Sequence, residues 1–409
     1  MFVIFVCPIF SPAATQMIEA ALTVPQVRLG VIAQQPLAAL APNVAARLAA
    51  HWQVDDVTNA TSLEHAVRAL GASNGAIARC FGAYEQLQQP LATVRERFGI
   101  PGLSSNAAHN FRDKARMKDA LRAAGVPVAR HRLITSRDDA LAFIADVGYP
   151  VVLKPPAGAG AIATQRIRDV ASLDAMLVNY PATAAQPMLA EEFLRGTEYS
   201  LETVSVDGHA MWHSLTRYGP TPLDVVENAW IQWTVLLPRE VDAVEFDDIR
   251  AVGAKALAAL GMGTGVSHCE WFRREDGTIA ISEIAARPPG ANITTMISRA
   301  HDIDFVAAWV HLMINGTFDP PERRYAVGTA YLRGQGTGQV RSVEGIEAIR
   351  QQFGAMICDA RLPVPGQHPT GSYEGEGYII VRHPETSVVE HALHRIVSSV
   401  RVRRGVSNS

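Results

Sequence analysis

In the first hundred residues, two patterns of hydrophobic and polar positions alternate along the chain: helical spacing and short apolar runs. Helical spacing of apolar residues around 13–22 and 43–52 predicts two helices between apolar runs. The runs at 2–8 and 27–33 predict two strands, and 75–85 predicts a third that continues into a loop. The continuous apolar run at 2–8 is typical of a strand that is covered on both faces. This order predicts a small α/β domain with a doubly wound parallel sheet, and the Gly, Pro and Ser residues at 99–105 mark its boundary.

A further helix is predicted within residues 111–127, where apolar residues recur at i, i+4 and i+7. Asp113 is the expected N-cap, and Gly125 is the expected residue just past the C-terminus. Lys114 would then lie in the first turn. Taken alone, it is more typical of a solvated surface lysine than of a binding residue.

The segment VVLKPPAGAGAIATQR, residues 151–166, reads as a strand that ends at Lys154 and continues into a loop of small residues. Gly158, Gly160 and Ala161 leave room for an anion to approach backbone N–H groups. The lysine would add a point charge for a phosphate. The GxxxxGK[ST] pattern of the P-loop is absent, and an ordinary flexible turn is the alternative interpretation.

Two acidic segments carry the remaining candidate chemistry. In the first, 188–208, an apolar strand ends in an acidic pair, turns at Gly196 and starts again at Glu198. Main-chain groups at such a connection can hold a purine while a carboxylate accepts hydrogen bonds from ribose hydroxyls. A hairpin with a charged tip is the simpler alternative.

The second acidic segment, 265–293, has two strand-like runs around the turn signal Asp276–Gly277. Pairing of these runs would set Glu270 beside Glu283, with Ile281 on the same face as Glu283. Adjacent carboxylates repel each other unless a cation lies between them, and their hard oxygen atoms suit Mg²⁺. Arg287 could face that metal across a transferring phosphoryl group, whereas a salt-bridged hairpin is the alternative.

The stretch 211–240 lies between the two acidic segments and holds three of the six tryptophans, which suggests a pocket or a well-packed wall. Arg217 is a candidate partner for a substrate carboxylate. A core wall is the more common role for a tryptophan, and a structural role is the more common one for a lone histidine in an apolar strand. The candidate substrate residues are Ser214, Arg217, Trp230, Trp233, His268 and Gly290.

Composition narrows the choice of function. The chain has 409 residues, which predicts two or three domains, and its net charge of −3 gives no basic excess for a nucleic-acid partner. The apolar N-terminus is too short to span a bilayer and has no basic flank, so it is interpreted as a core strand rather than a signal or membrane segment. The four cysteines are far apart and form no CxxC, which favours free thiols and a cytoplasmic location.

Five motifs together resemble the ATP-grasp superfamily in their order and spacing. They are RDKARMK, the lysine and small-residue loop at 154–163, EEFLRGTEYS, the Glu270 and Glu283 pair, and Arg287. Within that superfamily the chain is most similar to carboxylate–amine ligases of the L-amino-acid ligase and carnosine-synthase-like branch, over about residues 1–385. The resemblance implies an N-terminal α/β domain over 1–110, a lid over 111–195, and a C-terminal domain with metal and substrate sites over 196–409.

The same resemblance implies a role for each matching residue. Lys154, Glu283 and Arg287 would be catalytic, and Glu270 and Glu283 would hold Mg²⁺ or Mn²⁺. The residues implied to bind ATP are Lys114, Lys154, Gly158, Gly160 and Ala161 at the phosphates, Glu191, Glu192, Phe193 and Leu194 at the adenine, and Glu198 at the ribose.

Such enzymes transfer the γ-phosphate of ATP to a carboxylate and then form an amide with an amine. Two positions depart from the usual pattern: Ala285 stands where many members have Asn, which puts the number of metal ions in doubt, and Ala161 stands where many have Ser. The alternatives are another ATP-grasp enzyme, either a nucleotide-biosynthesis ligase or one similar to biotin carboxylase, and a non-catalytic ATP-binding regulator. The expected partners are a small-molecule carboxylate and amine, and a homodimer is compatible with the sequence.

Overall fold

The computed structural model of the protein describes residues 1–158, 163–228 and 230–405. Its N-terminal part contains a four-stranded parallel sheet in the order β3-β2-β1-β4. All six residues of β1 are buried, as the apolar run predicts for a strand covered on both faces. The elements of this part are β1 (Phe2–Cys7), α1 (Pro12–Thr23), β2 (Arg28–Ala33), α2 (Pro42–Ala45), β3 (Ala50–Gln53), α3 (Ala60–Asn74), β4 (Ile77–Phe81), α4 (Gln88–Phe98) and α5 (Ser105–Arg112).

The predicted helix at 43–52 is wrong. Only α2 is helical there, and β3 pairs in parallel with β2 at the edge of the sheet. Three of the four β3 residues are partly exposed, so no buried apolar run marks this strand in the sequence.

A second, smaller layer follows, in which a four-stranded antiparallel sheet has the order β5-β8-β6-β7. Asp113 caps its first helix as predicted, accepting the N–H groups of Ala115 and Arg116 at 2.9 Å each. Gly125, just after that helix, has the left-handed φ of +68° that favours glycine. The elements are α6 (Lys114–Ala123), β5 (His131–Ile134), α7 (Arg137–Val147), β6 (Val151–Lys154), β7 (Gln165–Ile167), α8 (Val170–Asn179) and β8 (Met188–Glu192).

The largest layer is an eight-stranded antiparallel sheet in the order β13-β12-β9-β10-β11-β14-β18-β17. A three-stranded sheet, β15-β19-β16, lies at the end of the chain. The elements are β9 (Gly196–Val206), β10 (His209–Gly219), α9 (Pro222–Glu227), β11 (Thr234–Leu237), α10 (Asp247–Leu260), β12 (Gly265–Arg274), β13 (Ile279–Ala285), α11 (Ile293–His301), α12 (Phe305–Asn315), β14 (Ala326–Leu332), β15 (Gly334–Gln335), β16 (Gln339–Glu344), α13 (Ile346–Phe353), β17 (Ile357–Arg361), β18 (Gly377–His383), α14 (Thr386–Ser399) and β19 (Arg401–Gly405).

One apolar core joins the N-terminal layer to the large sheet. Helix α1 packs on α12, and the ring of Phe81 at the end of β4 meets the ring of Trp309 on α12 with centroids 5.7 Å apart. The short 3₁₀ helix Glu85–Leu87 follows β4, and its Glu85 forms an ion pair with Arg287, which lies just after β13 of the large sheet. In the described ranges, none of the helices combines the length and the apolar character needed to cross a bilayer.

Candidate active site

A single cavity between the small antiparallel sheet and the large sheet gathers residues from most of the predicted motifs. Lys114 and Lys154 line it together with Glu270, Glu283 and Arg287. These residues come from α6, β6 and the β12–β13 hairpin, which are well separated in the chain. The charged groups that the sequence suggested for phosphate and metal therefore share one space.

Lys114 and Lys154 form the cationic side of the cavity, and each of them pairs with a carboxylate. Lys114 Nζ lies 2.9 Å from Glu283 Oε1 and donates to the Gly158 carbonyl at 3.0 Å. Lys154 Nζ lies 2.9 Å from Glu191 Oε2. Burial alone would lower the pKa of Lys154, but the Glu191 and Glu283 carboxylates outweigh it and raise that pKa. Lys154 is therefore held as a cation on the same side of the cavity as Lys114.

A third lysine, Lys118, supports this arrangement from behind. It is fully buried one helical turn after Lys114, and its Nζ lies 3.2 Å from Glu191 Oε1. Burial disfavours its charge and lowers its pKa. For Glu191, burial acts to raise the pKa, but Lys118 and Lys154 together lower it to about 2.

The β12–β13 hairpin supplies the acidic side, and it pairs Glu270 directly with Glu283 as the turn signal predicts. On β12, His268, Glu270 and Phe272 alternate toward the cavity. Cys269 and Trp271, on the other face, lie in the core. Two carboxylates on neighbouring strands thus project into the same space.

The predicted alternation on β13 is wrong, because a β-bulge interrupts it. Trp271 pairs with Ile281 while Glu270 pairs with Glu283, so Ser282 is an extra residue on its strand. Ile281 consequently faces the core, and both Ser282 and Glu283 line the cavity. The bulge also leaves the Ser282 carbonyl free of the ladder, where it accepts a hydrogen bond from Lys118 Nζ.

His268 connects the acidic pair to a buried polar network. Its Nδ1 lies 2.8 Å from Glu202 Oε1 and its Nε2 lies 3.5 Å from Glu270 Oε1. Glu202 is fully buried and accepts the hydroxyls of Ser200 at 2.6 Å and Thr216 at 3.1 Å. Burial acts to lower the pKa of His268, but the two carboxylates raise it to about 9, so the ring carries charge beside Glu270.

Arg287 is held by a carboxylate from the N-terminal layer. Its Nε and one terminal nitrogen donate to Glu85 Oε2 at 3.0 and 2.9 Å. Arg112 donates to the other oxygen of Glu85 at 2.7 Å and to the Gly158 carbonyl at 3.2 Å. One buried carboxylate therefore links Arg287 to the start of the small-residue loop.

Residues 191–194, where β8 leaves its sheet, line the opposite end of the cavity. Two lysines pair with the Glu191 carboxylate. Glu192 donates its backbone N–H to the Arg130 carbonyl, so of its two backbone groups only the carbonyl is left for the predicted contact with adenine. Phe193 stacks under the Arg166 guanidinium, 4.3 Å from its ring centre. Glu198 also lines this end, and burial together with the charge of Glu270 raises its pKa well above the ordinary value.

Three predicted substrate residues lie away from the cavity. Arg217 points to the opposite face of β10 and forms an ion pair with Glu390 on α14, because its neighbour Tyr218 takes the cavity side. Ser214 is buried and accepts a hydrogen bond from Arg323 at 3.2 Å. Trp230 is 69% exposed. None of these three side chains lines the cavity, so their prediction as substrate contacts is wrong.

Of the other predicted contacts, some line the cavity and some lie outside the described residues. Trp233, His268 and Gly290 line the cavity, as does Gly158. Gly160 and Ala161, and most of the loop predicted at 157–163, lie outside the described residues.

Several residues in and around the site were not predicted, among them Lys118, Glu85, Glu202 and Tyr373. Lys118 could have been found, since it repeats the charge of Lys114 four residues later on the same helical face. Glu85, Glu202 and Tyr373 carry no local signal, because each acquires its role from a partner distant in the chain.

The acidic pair fits a divalent cation only if other groups complete its coordination. Throughout the described residues, no three His, Cys, Asp or Glu side chains are grouped so that they could hold a metal ion by themselves. Two carboxylates leave most positions of a six-coordinate Mg²⁺ to water and to a bound phosphate, which is the usual arrangement for this ion.

A family model described as an ATP-grasp domain matches residues 119–301, which contain β8, β9 and the acidic hairpin. The chain contains an ATP-grasp domain. Lys114 lies just before the matched span, and Lys154, Glu270, Glu283 and Arg287 lie within it.

Relatives of this chain include ligases. The alanine–anticapsin ligase of Bacillus subtilis strain 168 is 26% identical over 59% of this chain and 56% of its own length, so that match covers just over half of the relative. An L-arginine-specific L-amino acid ligase of Bacillus subtilis is 26% identical over 68% of this chain and 69% of its own length.

Solved structures support the fold. An L-amino acid ligase from Bacillus licheniformis superposes with a TM-score of 0.76 at 17% identity, over 99% of both chains. An N5-carboxyaminoimidazole ribonucleotide synthetase from Thermotoga maritima superposes with a TM-score of 0.71, also at 17% identity. Likenesses at this identity establish the ATP-grasp fold, whereas the reaction has to be argued from the site.

Proposed function

We propose that the chain is an ATP-dependent ligase that joins a carboxylate, above all that of an amino acid, to an amine through an acyl phosphate. The observation that carries this proposal is the shared cavity, in which Lys114 and Lys154 face Glu270, Glu283 and Arg287. This combination supplies cations for a triphosphate, oxygen ligands for a metal and a fixed cation near them. The amino acid ligases among the relatives support the choice of acid.

The lysines would bind the phosphates of ATP. Lys114 already pairs with Glu283, and a phosphate oxygen of higher charge would take over as the partner of that lysine. Glu270 and Glu283 would hold Mg²⁺, which when bound neutralises charge on the phosphoryl oxygens. At the other end, the backbone around residues 192–194 would hold the adenine and Glu198 would hydrogen-bond the ribose.

In the first step an oxygen of the substrate carboxylate bonds to the γ-phosphorus. The bond from that phosphorus to the β–γ bridging oxygen breaks, and ADP leaves with the electron pair. Arg287 is aimed by Glu85 through two hydrogen bonds, so its charge can stabilise the transferring group without first having to reorient.

In the second step the amine nitrogen bonds to the acyl carbon, and the tetrahedral intermediate then releases phosphate. The surplus proton of the amine passes to solvent or to the departing phosphate. Arg287 would stabilise the negative oxygen of this intermediate as well.

The test is a matrix of acids and amines with ATP and MgCl₂, in which ADP, phosphate and product mass are measured on the full chain. Dependence of ADP release on an acid, together with a product whose mass is the sum of acid and amine less one water, supports the ligase. Tight ATP binding with no turnover under any pairing would instead indicate a regulator, and bicarbonate-dependent ADP release would indicate a carboxylase-type reaction.

A further inference from the structure

The lining of the cavity has two chemically different parts. One part consists of charged side chains, and the other consists of the rings of Tyr218, Trp233 and Tyr373 together with Ala291 and Ile293. We propose that the acid substrate carries an apolar side chain, which packs against this wall of three rings. The inference rests on the proposed function and narrows its substrate class.

The three rings form a rigid surface. Trp233 meets Tyr373 edge-on with ring centroids 4.9 Å apart, and Tyr218 lies 5.7 Å from Trp233 on its other side. Behind them, Tyr331 stacks on Trp233 at 4.9 Å. Trp233 Nε1 donates to the Pro220 carbonyl at 3.0 Å, so the polar atom of that ring is already satisfied.

The wall lies beside the reacting groups. Tyr373 lines the same cavity as Glu270 and Arg287, and it is in ring contact with Trp233. A carboxylate held between Glu270 and Arg287 would therefore have its substituent next to Tyr373. Both ends of one substrate molecule are accounted for by this placement.

The charged groups around the cavity also favour an apolar substrate side chain. Within the described ranges, each acidic or basic side chain that lines the cavity already has a partner or an assignment at the nucleotide, the metal or the phosphoryl group. They are Lys114, Lys154, Glu191, Glu192, Glu198, His268, Glu270, Glu283 and Arg287. Glu374, which adjoins the wall, accepts the backbone N–H of Ala291.

An acidic substrate side chain at the wall would consequently be buried without a partner, which is costly. A basic one would meet only Glu374, and burial raises the pKa of that carboxyl and so disfavours its charged form. An apolar side chain would gain from contact with the rings, by a factor of about 10 to 200 for each added methylene in a well-fitting pocket. The pocket should thus select by shape and polarity at the side chain while leaving the chemistry at the carboxylate unchanged.

The experiment traps the acyl phosphate with hydroxylamine, so that the natural amine need not be known. Full-length protein with ATP and MgCl₂ is given leucine, methionine, phenylalanine, glycine, aspartate or lysine, and ADP and hydroxamate are measured. We expect kcat/KM for the best apolar acid to exceed that for glycine and for both charged acids by at least about tenfold. Tyr373→Ala should reduce the leucine-to-glycine ratio at least about tenfold, since the ring contact is lost.

Tyr373→Phe keeps the ring and should keep the preference, which separates loss of the wall from loss of folding. Tyr180→Ala, which removes an exposed ring on the small layer, is the matched control and should leave the ratio unchanged. Preference for glycine or for a charged acid would overturn the inference while leaving the ligase intact, as would a Tyr373→Ala variant that lowers all acids equally. If none of a wide panel of acids gives ADP, the proposed function itself fails and this inference fails with it.

Discussion

The β12–β13 hairpin and the β10–β11 ribbon flank β9 in the same sheet, yet they present opposite chemistry to the cavity. The hairpin contributes His268, Glu270 and Glu283, whereas the ribbon contributes Tyr218 and Trp233. One side of β9 is therefore suited to stabilising charge, and the other to recognising shape. This difference suggests that turnover and substrate choice can be altered separately.

The two regions also differ in what holds them. Charges on the hairpin need partners from other elements: Lys114 from α6 for Glu283, and Glu202 from β9 for His268. The ribbon's rings pack on one another, and the Pro220 carbonyl accepts the indole N–H of Trp233. Substitutions on the charged side should accordingly disturb catalysis and distant partners together.

The largest effect on the charged side of β9 is expected for Glu283→Gln. Loss of a metal-binding charge should reduce ATP turnover by about a thousandfold or more, because charge on the phosphoryl oxygens is no longer neutralised. Steady-state ADP release measures the effect, and circular dichroism should show a folded protein. Glu275→Gln, at the exposed tip of the same hairpin, is the matched control and should turn over normally. Turnover of Glu283→Gln at the wild-type rate would remove this residue from the site.

The next largest effect is expected on stability. Lys118→Met should lower the free energy of unfolding by about 3 kcal/mol. The fully buried lysine pairs with Glu191, and its removal leaves that carboxylate with one cation instead of two. Urea denaturation measures it. Lys255→Met, at an exposed position on α10, should change little by comparison. Equal stability of the two variants would mean that Lys118 does not support the cationic side.

Much of the fold could be predicted from the sequence, and so could the central part of the site. A buried strand such as β1 and a capped helix such as α6 are specified by residues close in the chain. Pairing of Glu270 with Glu283 follows from the turn between them. Strand β3 escaped prediction because its pairing at a sheet edge leaves it half exposed.

What could not be predicted depends on contacts across the chain. The bulge at Ser282 shifts the facing of β13, and no local pattern announces one extra residue. Arg217 was the predicted substrate contact, and only the assembled sheet shows that its neighbour Tyr218 faces the cavity instead. Glu85 belongs to a different layer from Arg287, so its role depends on how the layers pack.

A smaller loss of activity is expected for Glu85→Gln, which removes the charge that aims Arg287. Charge-assisted hydrogen bonds of this kind contribute about 1.5–3 kcal/mol, so kcat should fall roughly 10- to 100-fold while KM for ATP changes little. Initial rates over a range of ATP concentrations separate the two parameters. Glu64→Gln, which breaks an ion pair with Arg97 in the same layer, is the control. A rise in KM with unchanged kcat would show that Glu85 acts in binding and not in aiming Arg287.

The smallest effect should come from Arg217→Met, which changes the face of the β10–β11 ribbon that points away from the cavity. Arg217 and Glu390 have side chains 43% and 41% exposed, and ion pairs of that kind contribute about 0–1 kcal/mol to stability. Turnover with every acid should stay within about twofold of wild type, because the side chain lies across the sheet from Tyr218 and the reacting groups. The measurement is kcat/KM for leucine and glycine beside a urea denaturation curve. A selective loss with one acid would bring Arg217 back as a substrate contact, and it would mean that charge as well as ring shape acts on the ribbon side of β9.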